Sequence, residues 1–310
     1  MTAEDAAARE ALAGFGIVAT RVELVSRSEN ITFRVEDGGG AYGLRLHRPG
    51  YQNLAELASE RVWTRALAAA GLAVPVGVRA ADGRDFVAAG PWLAGLTRWI
   101  VGEVPSQPDP GLFTRLGELA AGLHAHAADW KAPPGFTRRA LDAEGLMGAS
   151  PNWGRFWEHA DLTIGERTLF ETTRAALHRA LSALPRDGEH FGMIHADLHD
   201  GNLLVDGDAL TIIDFDDAAF GWYLYDLAVA ITHHQGEPGF DGLRSALLAG
   251  YRSRRDFPDD QAALLPMFVL VRRLAVIGWL HQRPEIDAAA RLAEMKPLTC
   301  KMCEEFRAGA

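Results

Sequence analysis

The stretch Met193–Asp226, MIHADLHDGNLLVDGDALTIIDFDDAAFGWYLYD, decides how this chain is read. It gathers His195, Asp197, Asn202, Asp214 and Asp216 around two short apolar runs. Leu203-Leu204-Val205 follows Asn202, and Leu210-Thr211-Ile212-Ile213 leads into Asp214. Joined by Asp206-Gly207-Asp208, the two runs predict a β-hairpin. Such a hairpin folds Asn202 and Asp214 toward each other, an amide oxygen beside a carboxylate, with Asp197 nearby. That donor set suits a hard, oxygen-seeking cation such as Mg2+ next to a base. Each of these residues is also a common turn residue. Their order, spacing and apolar framing together argue for a site.

Composition sets the outer limits. The 310 residues are 48% hydrophobic and 23% charged, ordinary for a globular protein and enough for two lobes. The formal net charge is -10 and no basic block occurs, which argues against nucleic acid as the main partner. The first residues, MTAEDAAAREALAGFG, carry acids and lack the apolar core of a signal peptide, so a cytoplasmic location is expected. Ala262 to Leu280 is very apolar, but Pro266 and Arg272-Arg273 interrupt it. It reads as a buried helix, and no membrane association is expected. Cys300 and Cys303 supply two metal ligands at most and read as reduced thiols on a terminal helix. Lysine occurs only at Lys131, Lys296 and Lys301; the rest of the 31 basic residues are arginine.

The residue pattern changes along the chain. A helix is expected over 4–14, then three strands between Val22 and Leu46. Glu36-Asp37-Gly38-Gly39-Gly40 turns the last two of them. A helix over 53–70 stops at Gly71, and strands return over 74–79, 85–88 and 96–101. From Pro110 the pattern is helical, with Leu112, Leu116, Leu119 and Leu123 on one face. Further helices are expected over 166–184, 223–233, 240–253 and 260–282. This is an α+β pattern: a small antiparallel β-rich lobe over 1–100 and a larger helical lobe over 101–310. The boundary falls between Arg98 and Glu103.

A family resemblance rests on the same motifs. His195-Ala196-Asp197, followed by four residues and Asn202, resembles the catalytic loop of the protein-kinase-like fold. Ile213-Asp214-Phe215-Asp216-Asp217 stands where that fold carries its metal-binding D-F-G. With His199 the loop reads H-x-D-x-H-x-x-N, which is similar to the aminoglycoside phosphotransferase and type II homoserine kinase families. Gly117 to His126, GELAAGLHAH, and Leu46 to Tyr51 extend the likeness. It implies a two-lobed kinase that uses ATP and Mg2+ to phosphorylate a hydroxyl of a small molecule. The acceptor class is an amino acid, an amino alcohol or an aminoglycoside-like antibiotic. Asp197 then accepts or orients the hydroxyl proton, and Asn202 and Asp214 hold the metal. His195 holds the loop, and Asp216 or Asp217 serves a second metal or the acceptor. Asp226 caps its helix and hydrogen-bonds the catalytic loop.

The β-rich lobe departs from the pattern. Protein kinases use a strand lysine paired with a helix glutamate, and no lysine precedes Lys131. Ala41 to Leu46, AYGLRL, puts Arg45 at that position. Glu60 shares a helix face with Leu57 and Leu67, where a carboxylate needs a cation, and Arg45 is the natural candidate. Ser26-Arg27-Ser28-Glu29-Asn30 replaces the glycine-rich loop, with Ser28 and Asn30 expected near the phosphates. Two other readings stand beside this one. One is a bacterial stress-type Ser/Thr protein kinase, which shares IDFDD-like motifs. The other is a nucleotide-binding pseudokinase, suggested by the missing lysine and opposed by Asp197, Asn202 and Asp214. The sequence names neither the acceptor nor the oligomeric state.

Overall fold

Thr2 and Asp5 cap the first helix reciprocally, Oγ1 to one backbone N–H and carboxylate to the other, worth about 1 kcal/mol. The computed structural model describes residues 2–283 and 288–309. Helix α1 (Ala3–Phe15) ends at Gly16, whose φ of 71° suits a glycine cap. Strands β1 (Arg21–Arg27), β2 (Ile31–Asp37) and β3 (Gly40–His47) follow as an antiparallel meander. Asp37 pairs with Gly40, so Gly38-Gly39 makes the turn that the sequence predicts. Helix α2 (Leu54–Ala69) is capped by Asn53 and Glu56. Strands β4 (Gly77–Val78), β5 (Phe86–Ala89) and β6 (Trp92–Arg98) complete a sheet of order β1-β2-β3-β6-β4, with β5 also on β6.

Alternation decides the two faces of β3. Tyr42, Leu44 and Leu46 enter the core, and Gly43, Arg45 and His47 face the other way. On the core side, Ala8, Ala11, Leu12 and Phe15 of α1 pack with Phe33, Val35 and Leu44.

The chain falls into two compact units. The first holds Met1–Ser106, Lys131–Arg138 and Gly201–Asp216; the second holds Gln107–Trp130, Arg139–Asp200 and Asp217–Ala310. Composition suggests a single cut near residue 100, whereas contacts return two later segments to the β-rich unit. The second unit begins with α3 (Pro110–Asp129), β7 (Ala140–Leu141), α4 (Ala143–Met147), α5 (Ile164–Ser182) and β8 (Phe191–Ile194). The hairpin of β9 (Leu203–Asp206) and β10 (Ala209–Ile212) belongs to the first unit. Glu103 and Val205 exchange backbone hydrogen bonds at 3.0 and 2.9 Å, and Ile212 donates to the Ala73 carbonyl at 3.1 Å. Local turn chemistry thus makes the hairpin, and tertiary hydrogen bonds decide which unit owns it.

The rest of the second unit is β11 (Ala219–Trp222), α6 (Tyr223–Thr232), α7 (Phe240–Arg252), α8 (Asp259–Ala262), α9 (Leu265–His281) and α10 (Ala288–Ala308). Its small sheet has the order β7-β11-β8. Helices α3 and α7 touch through Gly117 and Gly250. A Cβ at Gly117 would lie 2.1 Å from the Leu247 carbonyl oxygen, and one at Gly250 1.9 Å from that of Thr114. Helix α6 is buried along its whole length. Among the described residues, Asp259–His281 is the one segment apolar and long enough to cross a membrane, and 72% of its most apolar stretch is buried in the protein. Cys300 and Cys303 are free thiols, as expected.

Candidate active site

The cleft face of β3 opens onto a cavity of about 510 Å3 within the first unit. Arg45, His47, Glu60, Asp214, Ser28 and Trp99 are among its walls. Arg45 meets Asp214 fork to fork: Nη1 donates to Oδ1 and Nη2 to Oδ2, each at 2.9 Å. Nη1 also donates to Asp216 Oδ1 at 3.1 Å. Burial opposes the charge on Arg45, but Asp214 and Asp216 overcome that and raise its pKa.

The sequence pairs Arg45 with Glu60, and here the structure differs. Glu60 lines the cleft on α2, yet the ion pairs of Arg45 go to Asp214 and Asp216. Helical spacing correctly shows that Glu60 faces inward. It cannot show that the chain after β10 brings two carboxylates to the same guanidinium. Burial and the neighbouring Asp216 push Glu60 up to about 7, against the pull of Arg61, Arg138 and Arg45. Its Oε2 has no hydrogen-bond partner among the described residues.

Asp216 is braced from several sides. Asn30 Nδ2 donates to its Oδ2, and Gln52 Nε2 and Arg138 Nη2 donate to its backbone carbonyl. Burial alone would raise its pKa, but Arg45, His47, Asn30 and Arg138 bring it down to about 2. Asn30 Oδ1 accepts from the Arg48 N–H at 2.9 Å, so both ends of that side chain are engaged in holding structure. Ser28 lines the cleft, and its N–H donates to the Asn30 carbonyl at 3.0 Å. His47, nearly fully buried, is pushed down to about 4 by that burial, so the ring is neutral at neutral pH.

Asn202 ends a short 3-10 turn, and its carbonyl accepts from Ile213 N at 2.9 Å, which closes the base of the hairpin. Asp214 follows at φ 65°, in the left-handed region. No group of three or more His, Cys, Asp or Glu side chains suited to a metal exists among the described residues. The donor set nevertheless fits a hard cation. Each Asp214 oxygen accepts one N–H from Arg45 and keeps a second lone pair, and the carboxylate is 36% exposed. Mg2+ needs only one or two protein carboxylates when phosphates and water complete its shell.

The second unit carries the loop that follows β8. Ala196 sits at φ 67°, and Ala196 and Asp214 are the only non-glycine residues of positive φ among those described. For alanine that conformation costs about 1–2 kcal/mol. It is held by Asp226, whose Oδ2 accepts from His195 N at 2.9 Å and Oδ1 from Ala196 N at 2.7 Å. His124 Nε2 meets the same carboxylate at 3.1 Å, and Tyr251 Oη lies 2.9 Å from His124 Nδ1. Asp226 was expected to cap its own helix as well. Helix α6 has no side-chain cap, because the carboxylate is turned onto the loop.

That clamp presents Asp197. His195 is fully buried, and its Nδ1 accepts from the Asp197 N–H at 3.2 Å, a contact internal to the loop. Arg272 Nη2 donates to Asp197 Oδ1 at 2.5 Å, and His199 Nε2 lies 3.4 Å from Oδ2. Burial would raise the pKa of Asp197, but Arg272, His199 and His195 hold it well below the usual carboxylate range.

The phosphotransferase enzyme family model matches residues 21–265. The chain belongs to this family. It is 34% identical to a microcompartment-associated aminopropanol kinase of known structure, covering 97% of both chains with a TM-score of 0.87. It is 30% identical to a homoserine kinase from Methylobacterium nodulans over 83% of this chain and 79% of that protein. An amicoumacin kinase solved with AMP-PNP and Ca2+ shares the fold at 22% identity and a TM-score of 0.77, covering 92% of this chain and 89% of that one. This phosphotransferase is therefore a kinase of small-molecule hydroxyls in an α+β, protein-kinase-like fold, and the relatives favour that reading over a protein kinase or a pseudokinase.

Two groups of this phosphotransferase escaped the sequence reading. Arg272 left a signal, since a charge inside an apolar helix needs a partner. The strain at Ala196 left none, because alanine advertises no positive φ.

Proposed function

We propose that this protein transfers the γ-phosphate of ATP to the hydroxyl of a short amino alcohol in the cytoplasm. The likeness to the aminopropanol kinase, 34% identity across 97% of both chains, carries the acceptor class. The homoserine kinase relative, whose named substrate also bears a hydroxyl and an amine, supports it. A net charge of -10 suits a cationic acceptor.

The roles divide along the chain. Residues 1–100, with the β9–β10 hairpin, hold the nucleotide, and the helical part from 101 to 310 holds the acceptor. Arg45 and the Ser28 segment bind phosphate, Asn30 fixes that segment, and Glu60 tunes the charge of the cleft. Asn202 and Asp214 hold Mg2+, with Asp216 setting the position of Arg45. The metal, when bound, neutralises charge on the transferred phosphoryl group. Asp197 orients the acceptor hydroxyl and receives its hydrogen bond, His195 fixes the loop, and His199 flanks the carboxylate. Positioning and charge neutralisation then carry the transfer.

A coupled ADP-release assay with aminopropanol, ethanolamine, homoserine, an aminoglycoside and casein tests the reading. Turnover is expected with the amino alcohols and should vanish in Asp197→Ala while ATP binding persists. Transfer to casein without turnover of any small molecule, or full activity in Asp197→Ala, would overturn it.

A further inference from the structure

Helix α9 buries a cation against the acceptor-side carboxylate. Arg272 is 8% exposed, and its Nη2 lies 2.5 Å from Asp197 Oδ1. The two oxygens of Asp197 are thereby made unequal. Oδ1 is tied to a guanidinium fixed in the core, and Oδ2 faces His199 Nε2 at 3.4 Å, where the imidazole is 23% exposed. A charge in an apolar helix is costly, and a leucine would pack there without that cost. The guanidinium is therefore kept for what it holds.

We propose that Arg272 is a positioning residue for phosphoryl transfer: by anchoring Asp197 Oδ1 it fixes the orientation and the charge of the carboxylate that meets the acceptor hydroxyl. This rests on the kinase reading above. In the step itself the acceptor oxygen forms a bond to the γ-phosphorus and the bridging oxygen–phosphorus bond breaks. The electron pair leaves with ADP, and the hydroxyl proton passes by the carboxylate to water. A carboxylate held ionised by Arg272 orients the hydroxyl throughout and does not retain the proton. Charged and titratable groups reach it from several elements among the described residues. His195 and His199 come from its own loop and Arg272 from α9. His233, past the end of α6, lies with its ring 5.1 Å from that of His199 and is pushed down to about 4 by burial. Tyr225 and Asp217 face the guanidinium itself.

Arg272→Met and Arg272→Lys test this, with aminopropanol and Mg-ATP as probes. The methionine variant should lose at least about tenfold in kcat with KM for ATP within about threefold. Its acidic limb of kcat should move up by about one pH unit or more, since burial then acts on Asp197 unopposed by the guanidinium. The lysine variant, which keeps the charge without the fork, should recover part of both. A kcat within about twofold of the parent, or an acidic limb that stays in place, would overturn the proposal. A titration of the Asp197 carboxyl by carbon-13 NMR, assigned with Asp197→Asn, separates this claim from the kinase reading. If no acceptor turns over in the parent, the kinase reading fails alone. An upward shift of that carboxyl in Arg272→Met still supports the anchor, and no shift refutes it. If the methionine variant does not fold, Arg272→Lys carries the same titration, and an unmoved carboxyl and unchanged kcat refute the anchor.

Discussion

Asp226→Asn changes one atom and breaks the clamp on the catalytic loop. Asp226 is fully buried and serves three donors: His195 N at 2.9 Å, Ala196 N at 2.7 Å and His124 Nε2 at 3.1 Å. Asparagine keeps one acceptor oxygen. Its least costly orientation leaves that oxygen on Ala196 and turns the amide NH2 toward His124, which can switch tautomer because Tyr251 Oη can either donate or accept. The buried His195 N–H then loses the carboxylate oxygen it donates to, at about 1–3 kcal/mol. Loss of the charge on the remaining bond adds about 1 kcal/mol. A total of about 2–4 kcal/mol corresponds to a fall in Tm of roughly 5–15 °C for a domain of this size. With the clamp reduced to one weaker, neutral bond, the roughly 1–2 kcal/mol that Ala196 recovers on leaving its left-handed conformation can outweigh it, displacing Asp197. Calorimetry and steady-state kinetics check both parts: lower Tm, kcat down at least about tenfold and KM for ATP little changed, since the cleft lies in the other unit. A Tm within about 2 °C of the parent together with normal kcat would refute the reasoning.

The other predictions concern the cleft and the helix crossing. Arg45→Ala leaves Asp214 and Asp216 without their cation; ATP affinity measured by calorimetry should fall at least about tenfold and stability by about 2–4 kcal/mol. Glu60→Gln tests the raised pKa. A folded-state pKa of about 7 lies above the unfolded value of about 4.3, so the folded form holds the proton more tightly and stability is lost as pH rises between them. The glutamine variant should therefore gain up to about 3 kcal/mol over the parent at pH 8 and show a flatter Tm from pH 5 to 7. Asp216 runs the other way: with a pKa brought down to about 2, its stabilisation of about 2–3 kcal/mol is present above about pH 4 and lost below it. Acid unfolding of Asp216→Asn should therefore depend less steeply on pH there. Gly250→Ala drives a Cβ into the Thr114 carbonyl, which as backbone cannot move aside; a loss of about 3 kcal/mol or more is expected in chemical denaturation.

Much of the fold was legible because its signals are local. Gly38-Gly39 and Gly207-Asp208 sit between alternating apolar runs, and the structure turns the chain at both pairs. Burial along β3 follows the alternation that sets Arg45 apart from Leu44 and Leu46. Strand β8 and the short parallel pairing of β7 with β11 were not foreseen. Runs of two to four residues carry too little periodicity to announce themselves.

The sequence by itself determined the chemistry on offer: a carboxylate loop, a hairpin ending in Asp214, an arginine where a lysine is usual, and charges in apolar settings that demanded partners. Only the tertiary structure decided who the partners are. Glu60 lies fifteen residues from Arg45 in the chain, yet Asp214 and Asp216, 169 and 171 residues away, hold its guanidinium. Arg272 reaches Asp197 across 75 residues, and Asp226 reaches the strained Ala196 across 30. Periodicity fixes the face a side chain takes, because that depends on its own strand or helix. The pairing of buried charges depends on which distant segments the chain closes together, and nothing in the local pattern encodes that choice.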